Sequence, residues 1–204
     1  MEKKLIIAAR TLSLVFNPFY LPLVGLILLF WFTYLSLLPL GYKLTVLLSV
    51  YLFTILFPTL VIRFYRNYHG WKLFQLGQRE RRMVPYIVTL VSYFSCYYLM
   101  NLFRVPHFIS TILVIAIIMQ MLCAFINVWW KISTHSAAVG GMTGLLIVFS
   151  EIFGFYLMWW LYLALIISGC VGSSRIILRQ HNLSQVLVGY GLGFITSILI
   201  IIYI

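Results

Sequence analysis

Two histidines of this chain lie in short polar segments, where their side chains could take part in chemistry. His135 belongs to "KISTHS", residues 131–136, and His181 ends "SSRIILRQH", residues 173–181. A neutral imidazole can attack a phosphorus atom or transfer a proton. The same segments carry hydroxyls and cations, which hold phosphate oxygens in many proteins. The residue types therefore indicate a phosphate site.

A third polar segment, residues 66–85, adds further cations. The chain has 14 Lys and Arg but only three Asp and Glu, a balance that suits a dianion such as phosphate. Zinc would need three or four His, Cys or acidic ligands, and hard cations need carboxylate oxygens. We therefore expect chemistry without a metal ion or other cofactor. The candidate phosphate ligands are Lys72, Arg79, Arg82, Ser133, Ser174 and Arg175, and the same segments also carry Arg81, Lys131 and Arg179.

The local sequence gives each histidine a defined setting. "STHSAAVGG" predicts a helix start capped by Ser133 or Thr134, and the free N–H groups of a first turn favour an anion. His181 and Gln185 are four residues apart, so they share one helix face. The Gln185 side chain could accept a hydrogen bond from one ring nitrogen of His181, which would leave the lone pair of the other nitrogen for phosphorus.

Membrane-spanning helices must position these residues. The chain is 64% hydrophobic and 8% charged, which excludes an ordinary soluble domain, and apolar runs of about 20 residues recur along it. We predict an all-α, polytopic transmembrane helical bundle of six to seven spans, forming one integral-membrane domain over residues 1–204. The candidate spans are 18–38, 43–64, 86–103, 108–130, 136–150, 154–172 and 185–204.

The three polar segments are expected on one face of the membrane, because two spans separate each segment from the next. Small residues four apart in the fifth and seventh spans predict that these two helices pack closely, which would bring His135 near His181. These small residues are Ser136, Ala137, Gly140, Gly141, Gly144, Gly189 and Gly193.

The polar segments resemble the motifs of the type 2 phosphatidic acid phosphatase family over roughly residues 70–200. "SRIILRQHNLSQ" is similar to the third motif (Ser-Arg, five residues, His, three residues, Asp), with Ser174, Arg175 and His181 in register. "ISTH" resembles the second motif, Pro-Ser-Gly-His, through Ser133 and His135.

The first motif of that family, Lys, six residues, Arg-Pro, has two alignments here. Lys72 and Arg79 have its spacing, although Glu80 stands in place of the proline. "RERRMVP" is the alternative, with Arg79 and Arg82 binding phosphate. We favour the second alignment because it places the arginines at the membrane boundary.

The resemblance implies a lipid phosphatase, a hydrolase of phospholipid metabolism. His181 would form a phosphohistidine with Gln185 orienting it, and His135 would protonate the departing alcohol and then activate water. Arg175, Ser133 and the first-motif cations would hold the phosphate oxygens. The substrate would be a lipid phosphate monoester or diphosphate whose tail enters between helices. Membrane lipids are the other expected partners; a nucleic acid is not expected, and the oligomeric state stays open.

Two positions depart from the family pattern. Gln185 stands where the family has an aspartate, and its amide oxygen can fix the histidine tautomer but carries no charge. Ile132 and Thr134 replace Pro and Gly of the second motif. The alternative is therefore a catalytically weak or inactive member that binds anionic lipid headgroups. A transporter is disfavoured, because the polar residues cluster at one membrane boundary rather than at the midplane.

The positive-inside rule and the family resemblance predict opposite orientations of the protein in the membrane. Of the 14 Lys and Arg, only Lys43 and Arg104 fall on the face opposite the motifs, and the positive-inside rule then places the motif face in the cytoplasm. The resemblance implies the reverse, since bacterial members often face the periplasm. Both orientations stay open, in what we expect to be the bacterial inner membrane.

Overall fold

The fold is helical throughout the part of the chain that the structure describes. This computed structural model describes residues 2–70, 83–154, 156 and 158–203. Its α-helices are α1 (Glu2–Val15), α2 (Leu21–Phe32), α3 (Leu40–Tyr51), α4 (Phe57–Tyr68), α5 (Met83–Leu102), α6 (His107–Asn127), α7 (Thr134–Phe153), α8 (Met158–Ile177) and α9 (Leu183–Tyr203). A 3-10 turn, Tyr34–Leu37, follows α2, and a π-helical segment, Leu52–Leu56, joins α3 to α4. The prediction of an all-α fold is confirmed.

Six of the described helices are long and apolar enough to cross a membrane. They are the continuous helix Leu40–Tyr68 and α5 to α9, each 20 to 29 residues long. At a rise of about 1.5 Å per residue, 20 residues match the roughly 30 Å of a bilayer core. Large apolar side chains such as Leu163, Ile166 and Leu187 are exposed on their outer surfaces, as lipid contact requires. The chain is a multi-pass integral membrane protein.

The first predicted span, 18–38, is not one long helix. Its α-helix has 12 residues and ends before Thr33, whose backbone is extended. The Thr33 hydroxyl donates to the carbonyl of Leu29 at 2.6 Å and accepts from the N–H of Leu35 at 3.2 Å. One side chain therefore ends α2 and begins the 3-10 turn. Hydropathy could not show this break, because the residues on both sides of it are apolar.

The fifth predicted span, 136–150, is longer than expected and lies deepest in the protein. As α7 it has 20 residues, and two thirds of its most apolar stretch is buried, more than in any other described span. Its closest neighbour is α9, and these two form the most extensive helix pair of the described bundle.

The α7–α9 pair packs backbone against backbone. A Cβ atom on Gly193 would collide with the carbonyl of Ala137, and one on Gly140 would collide with the carbonyl of Tyr190. A Cβ atom on Gly189 would lie 2.7 Å from the carbonyl oxygen of Ser133. The prediction that these two helices pack through their small residues is confirmed.

Two apolar clusters fill the interior of the described bundle. The larger one contains Leu26, Phe30, Ile109 and Leu113, all fully buried. The smaller one lies beneath the start of α7 and contains Tyr86, Met119, Cys123, Ile132, Ala137 and Ala138. Because Ile132 is fully buried directly before the polar residues of α7, it anchors the turn that carries them.

Candidate functional site

Ser133 is the N-cap of α7. Its backbone is extended, with φ −89° and ψ 101°, and its Oγ accepts a hydrogen bond from the N–H of Ser136 at 3.3 Å. The two hydroxyls lie 2.8 Å apart, and both residues are buried. Of the two predicted caps, Ser133 and Thr134, the structure selects the first. His135, half-buried, follows in the first turn, where a helix dipole attracts anions.

His181 and Gln185 make the predicted side-chain contact, but the expectation that they share one helix face is wrong, because His181 lies before α9 begins at Leu183. Nδ1 of His181 lies 3.0 Å from Oε1 of Gln185. The backbone N–H of Asn182 donates to the same Oε1 at 3.4 Å, and a backbone N–H can bond only an acceptor, so oxygen rather than nitrogen faces the ring. Nδ1 of the neutral imidazole must then carry the hydrogen, which places the lone pair on Nε2. This is the tautomer that nucleophilic attack from Nε2 requires.

A reciprocal cap at the start of α9 fixes the Gln185 side chain. The side-chain oxygen of Asn182 accepts from the N–H of Gln185 at 2.9 Å, and Gln185 returns the bond to Asn182. This is a capping box. This cap was not predicted, although its signal, Asn followed three residues later by Gln, is present in "HNLSQ".

The two histidine segments meet at one end of the bundle. The backbone N–H of Ser133 donates to the backbone carbonyl of Gln185 at 3.4 Å. His135 lies two residues after Ser133, and His181 is bonded to the side chain of Gln185. The structure therefore brings together the start of α7, which carries Ser133 and His135, and the segment from His181 to Gln185.

Arg175 and His181 are tied together through the end of α8. The carbonyl of Arg175 accepts the N–H groups of Gln180 at 3.1 Å and of His181 at 3.3 Å. Between them, Arg179 adopts a left-handed backbone with φ 52° and remains exposed. Arg175 and His181 are each only 6% exposed. The guanidinium of Arg175 donates through Nη1 to Oγ of Ser13 on α1, at 2.5 Å.

The remaining predicted ligands differ in their settings. Ser174 is buried, and its hydroxyl donates to the carbonyl of Val171 in its own helix at 2.7 Å, so its proton is directed along α8. Lys131, half-buried, lies just before α7. The first-motif candidates, which are Lys72, Arg79 and Arg82, lie outside the described residues, as does Arg81.

The charge around the described part of the site is positive. Arg175, Arg179 and Lys131 lie in its segments, whereas Glu151 lies in the last turn of α7, at the opposite end from His135. Within residues 2–70, 83–154, 156 and 158–203, no three His, Cys, Asp or Glu side chains are placed to hold one metal ion. The expectation of metal-independent chemistry stays a prediction, which a chelator can test.

An apolar cavity of about 170 Å³ opens between α2, α7 and α8. Its lining includes Leu21 of α2, Val139 of α7 and Trp160 of α8. Val139 lies one turn after His135, so the cavity begins close to the polar end of α7 and continues along the helices. This cavity could not be predicted from the sequence, because its lining residues come from separate apolar runs.

Comparison with known proteins adds no relative: no family model matches the chain, and neither the curated proteins nor the solved structures give a match.

Proposed function

We propose that this protein is a metal-independent lipid phosphatase that hydrolyses a lipid phosphate monoester or diphosphate through a phosphohistidine intermediate. The observation that carries this proposal is the contact between the two histidine segments, made by the Ser133 N–H and the Gln185 carbonyl. It sets a histidine with a fixed tautomer beside the N-terminus of a buried helix that carries the second histidine.

In the first step, the Nε2 lone pair of His181 attacks phosphorus. A P–N bond forms as the P–O bond to the lipid breaks, and the departing oxygen takes a proton from His135. Gln185 keeps accepting from Nδ1–H while the imidazole ring becomes cationic. Its contribution is to hold the ring in the reactive tautomer and orientation.

In the second step, His135 accepts a proton from water, and the resulting oxygen attacks phosphorus. The P–N bond breaks, its electron pair returns to Nε2 of His181, and inorganic phosphate leaves. Charge spreads over the phosphate oxygens in both transition states. The guanidinium of Arg175 and the N-terminus of α7 supply the opposite charge, together with Lys72, Arg79 and Arg82 of the first motif in the proposed scheme.

A lipid substrate is supported by where the histidines lie. His135 is in the first turn of a membrane-spanning helix, so the phosphorus would be held at the edge of the bilayer. The apolar cavity beside Val139 offers space for part of a hydrocarbon tail. With the motif resemblance, these features support membership of the type 2 phosphatidic acid phosphatase family; the bacterial inner membrane is its proposed location.

The test is release of inorganic phosphate by purified protein in detergent, with a panel of lipid phosphates and diphosphates and with EDTA present. We expect release by the wild type and none above background by His181→Ala. The matched control is His107→Ala, since this exposed histidine begins α6 at the other end of the bundle. Equal release by the wild type and His181→Ala would contradict the phosphohistidine. Binding of lipid phosphate without release would favour the non-catalytic, headgroup-binding alternative.

A further inference from the structure

The N-terminal helix reaches the candidate site from the far end of the sequence. α1 packs against α8 and buries two small residues, Ala9 and Ser13, while Leu5, Ile7 and Leu14 on its other faces are exposed. Ala9 and Ser13 are four residues apart, so they lie on one face of the helix. That face is the one that brings a polar group, the Ser13 hydroxyl, to α8.

The contact that Ser13 makes is buried and charge-assisted. Ser13 is 8% exposed and Arg175 6%, and Nη1 of the guanidinium lies 2.5 Å from Oγ of Ser13. Taking a guanidinium out of water is costly unless its N–H groups are bonded. Ser13 therefore helps to keep Arg175 inside the protein and fixes the direction in which its planar guanidinium points.

The hydroxyl differs from an acid in what it does to the charge. A carboxylate at this position would hold the guanidinium more strongly, but it would cancel the positive charge that attracts phosphate. A neutral hydroxyl accepts one hydrogen bond and leaves the net charge of Arg175 unchanged. The guanidinium carries five N–H donors in one plane, so one edge can be held while another faces a ligand.

We propose that Ser13 is a positioning residue for Arg175, so that α1 is part of the phosphate site and not only a peripheral helix. The inference rests on the proposed function, in which Arg175 holds phosphate oxygens in the transition state. Specifically, the hydroxyl of Ser13 determines how well Arg175 holds the phosphate oxygens.

The experiment compares variants at position 13 by the kcat and KM of phosphate release and by inhibition with orthovanadate, an inorganic mimic of the phosphoryl transition state. We expect Ser13→Ala to lower kcat about tenfold or more, the range for losing a hydrogen bond to a charged group. KM for the lipid should change little, and the vanadate concentration for half-inhibition should rise by a similar factor. Ser13→Thr keeps a hydroxyl and should retain most of the activity.

Ser13→Asp separates a positioning role from a merely structural one. A carboxylate strengthens the contact between α1 and α8, so a structural role predicts activity at or above that of the wild type. The positioning role predicts a larger loss of kcat and of vanadate inhibition than in Ser13→Ala, because the charge of Arg175 is neutralised. Thr11→Ala is the matched control, since the exposed Thr11 hydroxyl bonds only the carbonyl of Ile7 among the contacts described.

The outcomes distinguish the two proposals. An active wild type whose kcat and vanadate inhibition survive unchanged in folded Ser13→Ala would overturn the positioning role alone. Activity of Ser13→Asp equal to that of Ser13→Thr would do the same, and this comparison remains decisive where Ser13→Ala fails to fold. A folded wild type that releases no phosphate from any lipid would overturn the proposed function, and the positioning role with it.

Discussion

Replacing Gln185 by Glu is the sharpest test of how the proposed nucleophile works. Glu has the length and shape of Gln, so its carboxylate can take the place of the amide oxygen that lies 3.0 Å from Nδ1 of His181. The backbone N–H of Asn182, 3.4 Å from the same oxygen, can donate to a carboxylate as well. The variant therefore adds a negative charge to the pair without removing a hydrogen bond.

The size of the effect follows from what the hydrogen bond becomes in the transition state. A carboxylate attracts the imidazole more strongly in the transition state than before it, because the ring becomes cationic only as phosphorus is attacked. Opposite unit charges about 4 Å apart attract by about 1 kcal/mol in water and about 4 kcal/mol at an effective dielectric constant of about 20, so we expect the barrier to fall by about 1.4 kcal/mol, near the value for water. This corresponds to a rate increase of about tenfold. Because Gln185 is only half-buried, water screens the added charge and prevents a much larger gain.

The assay is steady-state phosphate release at saturating lipid phosphate, with Gln185→Leu measured alongside. We expect kcat to rise about tenfold in Gln185→Glu and to fall at least tenfold in Gln185→Leu, which has no acceptor to hold Nδ1–H. A folded Gln185→Glu protein that is no faster than the wild type would show that ring charge does not limit the reaction. A Gln185→Leu protein as active as the wild type would refute the assigned role of the pair.

Two further predictions concern the α7–α9 seam, the surface along which these two helices pack through their small residues, and the start of α7. Gly193→Ala should destabilise the protein by about 1–3 kcal/mol through overpacking against Ala137. Gly191→Ala is the control and should change the thermal unfolding temperature little, because its Cβ atom would meet open space. Equal effects of the two substitutions would contradict the close packing of α7 against α9. Ser133→Ala should lower the free energy of unfolding by about 1–2 kcal/mol, because it removes the N-cap and the hydroxyl contact with Ser136. An unchanged unfolding temperature in detergent would exclude this capping role.

Much of the architecture could be predicted because the bilayer imposes it. Spans of apolar residues must be about as long as the bilayer is thick, so the six long helices could be predicted from the apolar runs alone. The seam between α7 and α9 was visible too, since Gly189 and Gly193 repeat at the interval that lets helices approach. The contact of His181 with Gln185 was predicted from helix periodicity, but His181 lies before α9 begins at Leu183, and it is the cap between Asn182 and Gln185 that orients the Gln185 side chain.

What could not be predicted depends on contacts without a periodic signal. The break at Thr33 arises because its hydroxyl bonds both the carbonyl of Leu29 and the N–H of Leu35. Hydropathy does not report such hydrogen bonds. The bond from Arg175 to Ser13 joins residues near opposite ends of the chain, and nothing in either local sequence indicates the other. The roles assigned to the histidines stay predictions that the proposed assays test.

The seam between α7 and α9 has a consequence for ligand recognition. Where Gly193 meets the carbonyl of Ala137 and Gly189 meets that of Ser133, there is no side chain to rearrange, so the two helix starts hold one fixed separation. The loss of conformational freedom needed to bring their polar groups together is incurred once, during folding, and not again at each encounter with a ligand. If the proposed function is right, a lipid headgroup at this end of the protein would be selected by the shape of the site rather than by its adaptability.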